Sequence, residues 1–172
     1  MESSKKFFSE MTDFVKSLFE PKTRIINSSE RLQIKGVFYL EKICAKTGEI
    51  LETYTDNNLV VNGGRTAVTN LLGAGSATKQ LTKIAFGTNG TAPAGSDTAI
   101  TGAFTKSLGA VTYPTISSVS FAWTLGASEG NGLGIREVGI LCTDNTLFAR
   151  KTRALIDKNS DIILNGSWTI SF

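Results

Sequence analysis

The sequence predicts a mainly β protein: a β-sandwich with a short internal helix and a detached N-terminal amphipathic helix. Three observations carry that class. Apolar and polar residues alternate through six stretches between Leu81 and Phe172, the period of half-buried strands. Gly, Ser and Thr fall between the alternations, as the turns of a many-stranded domain require. Helical spacing is confined to the N-terminus and to one short run after Gly63. At 172 residues, 41% of them hydrophobic, the chain has room for one sizeable core and an appendage. The division expected is residues 1–30 as a helix and linker arm and residues 31–172 as the sandwich.

The N-terminal element comes first. Phe7, Phe8, Met11, Phe14, Val15, Leu18 and Phe19 lie on one stripe of a helix over residues 3–20, with Ser and charged residues between them. Ser3 or Ser4 can cap its start, and Pro21 ends it after Glu20. So short a helix is marginal alone, and a stripe holding four phenylalanines must bury against something. The choices are its own β domain, a sister subunit or another protein. The polar run from Lys22 to Glu30 separates stripe from domain and favours the last two, which makes these seven residues the candidate partner-docking surface. A membrane-surface helix is a further alternative, disfavoured by the mixed charge of the polar face. Glu10, Asp13 and Lys16 interrupt what a signal peptide would keep apolar, and no run is long enough to span a bilayer; assembly in the cytoplasm is the expectation.

Next, Arg31 to Val61 reads as a hairpin in which Leu32, Ile34, Gly36, Phe38 and Leu40 alternate and Lys46-Thr47-Gly48-Glu49 turns the chain. Gly63 to Gly73 reads as a short helix that buries Ala67, Val68, Leu71 and Leu72 and ends on Gly73. Strands are predicted over 81–86, 103–111, 118–125, 133–142, 147–153 and 161–172, two of them carrying Trp123 and Trp168. The last runs to Phe172.

Within this series, Asp144-Asn145 is a credible two-residue turn with both residues at positive φ. It sets Leu141 opposite Phe148, Gly139 opposite Arg150 and Glu137 opposite Thr152, with Ile135, Glu137, Gly139 and Leu141 on one face. Glu137 on an apolar face needs a partner, and Arg150 on the diagonal supplies one beside the gap left by Gly139, a structural ion pair that fixes register. The same register puts Arg136 opposite Arg153 with Lys151 nearby. Together with Arg150 and Lys158 they suggest a basic face, either simply exposed or docking an acidic neighbour.

The composition excludes much chemistry. The sequence has no His, which removes His-based acid–base catalysis and nearly all familiar zinc sites. Cys44 and Cys142 are far apart and fit buried free thiols. Asp56, Asp97, Glu129 and Asp144 sit in expected loops without calcium-loop spacing. No glycine run has the form of a phosphate loop, and a net charge of +3 is too small to argue for nucleic acid. No enzyme activity, cofactor or metal is expected.

Two phrases carry a family likeness. Gly132-Leu133-Gly134-Ile135-Arg136-Glu137-Val138-Gly139-Ile140-Leu141, followed by a turn and Leu147-Phe148-Ala149, resembles the N-terminal, virion-anchoring domain of phage tail-collar and tail-fibre proteins. Lys83-Ile84-Ala85-Phe86-Gly87-Thr88-Asn89-Gly90-Thr91-Ala92-Pro93-Ala94, followed by Asp97-Thr98-Ala99-Ile100, resembles that family's opening, which a short helix likewise precedes. The resemblance spans residues 81–151. It implies a virion structural protein made of copies of itself and bound to other virion proteins, in a tail collar, baseplate or fibre adaptor. A head-decoration protein on the capsid fits nearly as well, and a carbohydrate-binding sandwich is a third alternative.

Overall fold

The computed structural model describes residues 33–172. The helix expected over residues 3–20, its docking residues Phe7, Phe8, Met11, Phe14, Val15, Leu18 and Phe19, and the polar arm to residue 30 lie outside the described residues.

The protein is mainly β. Nine strands, β1 (Lys35–Cys44), β2 (Ile50–Val60), β3 (Leu81–Gly87), β4 (Phe104–Ser107), β5 (Val111–Thr115), β6 (Ser118–Leu125), β7 (Gly134–Cys142), β8 (Leu147–Asp157) and β9 (Ile162–Ser171), form one antiparallel sheet. Its order is β4-β3-β7-β8-β2-β1-β9-β6-β5. The sheet curls at its middle, where β2 and β8 share only the pairs Leu59–Arg150 and Val60–Ala149. One half then lies over the other. Phe86 on β3 meets the edge of Trp123 on β6 with ring centres 5.4 Å apart, although the two strands sit near opposite ends of the order. Trp123 in turn stacks on Phe38 at 5.5 Å, and Phe38 meets Trp168 edge-on at 5.2 Å. The Trp123 ring covers Gly166, where any side chain would collide with it. The alternation in the sequence thus becomes a single apolar filling between the halves.

Several expected elements differ in detail. The stretch 103–111 is two edge strands, because Leu108 to Ala110 crosses from one half to the other: the Leu108 amide donates to Thr82 O and the Gly109 amide to Ala122 O. The helix α1 (Asn62–Ala74) ends on Gly75 at φ +58°, not on Gly73. Its Ala67 is buried, Val68 and Leu71 are half-buried, and Leu72 is 81% exposed. The helix is anchored through its first turn, where Gly63 and Gly64 lie against the carbonyls of Leu147 and Phe148.

Candidate functional site

The β7–β8 hairpin and the loop from Thr88 to Ala103 meet in a buried polar clasp. The loop crosses the outer face of β3 and β7, where Ile100 joins Val61, Ala85, Leu141 and Leu147 in a second small core. Gly87 and Gly139 leave the room: a Cβ at 139 would stand 2.6 Å from Ile100 Cδ1, and one at 87 would strike Ile100. Beside this plug the Arg150 Nε donates to Glu137 Oε2 at 2.6 Å, its Nη1 to Asp97 Oδ2 at 2.9 Å and its Nη2 to Asn89 O at 3.2 Å. The other Glu137 oxygen accepts the amides of Thr101 (2.7 Å) and Asn89 (3.2 Å), and Asp97 Oδ2 also accepts the Ala94 amide at 2.8 Å. Glu137 and Arg150 are buried. Burial alone would lower the guanidinium's proton affinity, but the hydrogen bonds it donates to Glu137 and Asp97 raise it. The Ala94 amide holds Asp97 below the ordinary carboxylate value against an opposing effect of burial, and Arg150 adds to the lowering. Every polar atom named has a partner, which is what a desolvated charge cluster needs.

The hairpin keeps the expected pairs Gly139–Arg150 and Glu137–Thr152 and departs from the expected register on both sides of them. At the turn only Asn145 has positive φ, +67°, and the Cys142 amide bonds to Thr146 O, so the connection is a three-residue loop with a left-handed last residue. Leu141 therefore faces Leu147, not Phe148, and an irregularity between Ile140 and Leu141 restores the pairing beyond it. At the other end the ladder is interrupted between Ile135 and Glu137, where Gly134 pairs with Asp157 and Ile135 with Ile156. Ile135 accordingly joins the main core, apart from Glu137 and Gly139.

That interruption dissolves the expected basic face. Arg136 is exposed beside Gly90 instead of facing Arg153. Lys151 donates to Asp56 Oδ2 at 2.5 Å and Arg153 Nη2 to Glu52 Oε1 at 2.8 Å, with both cations near the Tyr54 ring. These pairs bridge the seam where β2 and β8 diverge, so Lys151 and Arg153 close the curl and are matched by acids. Arg150 belongs to the clasp. Lys158 is buried, its ammonium donating to Asn159 O at 2.8 Å and Asn131 Oδ1 at 3.0 Å, and burial holds its pKa below the usual lysine value.

Of the four carboxylates expected in loops, Asp56 lies within β2 instead, and each is bound to a cation: Asp56 to Lys151, Asp97 to Arg150, Glu129 to Lys106 and Asp144 to Lys79. Among the described residues, no group of three or more His, Cys, Asp or Glu could hold a metal, both cysteines are free, and no helix is long and apolar enough to cross a membrane.

One feature had no signal in the sequence. Where β3 and β6 begin and β9 finishes, the filling between the halves opens as an apolar groove of about 470 Å³. Phe121, Phe148 and Ile170 line its interior, and Val111, Tyr113 and Phe172 form its rim. Strand alternation showed that these residues are apolar, but that they converge at one end follows from the curl.

No family model, no curated protein and no solved structure matches the chain.

Proposed function

We propose that this chain is a non-enzymatic phage virion structural protein of the tail, a collar, baseplate or fibre-adaptor component that self-associates and docks on other virion proteins through its N-terminal stripe. The observation that carries the reading is the clasp. The two phrases that resemble the virion-anchoring family are separate in sequence, yet Asn89 and Asp97 of the first and Glu137 of the second meet through Arg150, the residue that follows the second phrase, in one network. That both phrases fall on one physical unit is what supports the reading. Within this reading the curled sheet is a β-sandwich that serves as a rigid body, with the arm of residues 1–30 as its attachment and the virion, assembled in the host cytoplasm, as its location. Nucleic acid and membrane are not partners in it.

A carbohydrate-binding sandwich is supported less well. Trp123 and Trp168 are buried and Tyr54 lies beside Lys151 and Arg153, so of the tyrosines and tryptophans Tyr113 alone, 77% exposed, offers an open face. A head-decoration protein remains the alternative, since the same body and arm would serve on a capsid. Antibody labelling of purified particles tests the choice: the tail reading expects label at the tail, label over the head shell moves the protein to the alternative, and particles that lack the chain overturn both.

A further inference from the structure

We infer that the apolar groove at the open end of the curl receives the Phe7–Phe19 stripe of a second copy of this chain, each copy gripping the next. This deepens the proposed function and rests on its self-association. The groove is continuous with the core: its inner side chains, Phe121, Phe148 and Ile170, are core residues, and they meet solvent's edge through Val111 and Phe172, each 46% exposed, and Tyr113, 77% exposed. Apolar side chains gathered at a concave opening mark a contact surface more than scattered ones do. The polar residues on the lining are Gln80 and Thr82, neither of them charged. An occupant is then selected by apolar shape, as when an amphipathic helix lays anchors spaced three and four residues apart into a groove.

The sequence predicts such an occupant. Its first 20 residues place Phe7, Met11, Phe14 and Leu18 at that spacing. The tether also starts at the right place. Lys35, the first residue of β1, pairs with Ser171, next to Phe172 on the rim. The 13 residues from Pro21 to Gln33 span at most about 45 Å when extended, enough to reach an adjoining copy. Groove and stripe are different surfaces, so the contact is head-to-tail and closes into a ring when the rotation permits, as assembly around a tail axis requires. Filling a copy's own groove would use up both surfaces and join nothing.

The test uses the full chain in solution, with mass measured by sedimentation. The wild type should self-associate. Tyr113→Asp with Phe172→Asp at the rim, or Phe14→Asp with Leu18→Asp on the stripe, should weaken association by roughly a hundredfold or more. Each should keep the near-ultraviolet signal of the buried tryptophans. Mixed together, the two variants should form a one-to-one dimer and nothing larger, because only one stripe and one groove remain competent. If the rim pair disturbs the sheet, Val111→Lys, half in water already, takes its place. A monomeric wild type, a rim variant that associates like the wild type, or a mixture that stays monomeric overturns the inference. No particle enters this measurement: a chain that behaves as expected but is missing from virions overturns the proposed function alone, and a monomer found in virions overturns this inference together with the self-association it rests on and leaves the virion location standing.

Discussion

Ile100 sits directly over Gly139, so close that a methyl group on residue 139 would lie 2.6 Å from Ile100 Cδ1 and 2.9 Å from Leu147 Cδ1. The contact holds the crossing loop flat against β7. Gly139→Ala should cost about 1–3 kcal/mol through overpacking, and Ile100→Ala about 2–3 kcal/mol through the cavity it leaves. The two should not add: with Ile100 truncated, the new methyl has somewhere to go, and the penalty at 139 should shrink by about 1 kcal/mol. Urea unfolding of the two single variants and the double measures this, and strict additivity would show that the loop does not rest on Gly139.

Glu137→Ala should destabilise far more than Arg136→Ala. Removing Glu137 leaves a buried guanidinium facing only Asp97 and Asn89 O and strips the Thr101 amide of its acceptor, a loss on the order of 3–5 kcal/mol. Arg136 is exposed, and its loss should stay within about 0.5 kcal/mol. The ranking follows from burial, not from relief of repulsion with Arg153, which is bound to Glu52. Comparable melting shifts for the two variants would remove the clasp from any account of stability.

Much of this was legible in the chain. The alternation of Val119, Phe121, Trp123 and Leu125, and of Leu164, Trp168 and Ile170, located core strands because period two survives any tertiary arrangement. The Glu137–Arg150 partnership was legible because an acid among apolar neighbours demands a cation. What failed was register past an irregularity: alternation cannot reveal an interruption such as that between Ile135 and Glu137, and one interruption was enough to turn Arg136 away from Arg153. Asp97 as third member of the clasp, the burial of Lys158 and the groove were illegible for a different reason. Each depends on segments distant in sequence being laid together by the curl.

The protein should lose stability as pH falls, over a range set by its paired carboxylates. Asp56, Asp97, Glu129 and Asp144 are all held below their ordinary values, Asp144 to about 2 from 3.8 by hydrogen bonds from Lys79 and Thr146. A carboxyl with a depressed folded value stabilises the fold fully above its unfolded value and stops doing so as pH drops through the folded one. For Asp144 the loss therefore falls between 3.8 and about 2. The melting temperature should decline across that interval, and Asp144→Asn should make the decline shallower. A melting temperature that rises on acidification would contradict the pairing.

The two thiols should differ sharply in reactivity. Cys142 is buried in the main core, and burial pushes its pKa up to about 11, so at pH 8 it is both shielded and protonated. Cys44 is half-buried at the β1–β2 turn, where the hydroxyl of Thr47, then the backbone amides of Thr47 and Lys46, lower its pKa. The native protein should give one fast-labelling thiol with a colorimetric disulfide reagent, and the second should appear only on unfolding. Cys44→Ser should abolish the fast phase. Thr47→Val should slow it without removing it, because the hydroxyl is the largest single contribution to the lowered value and the thiol stays as accessible as before. If both thiols label together in the native protein, Cys142 does not lie in the core, and the packing of β7 against β3 near Leu81 would have to be redrawn.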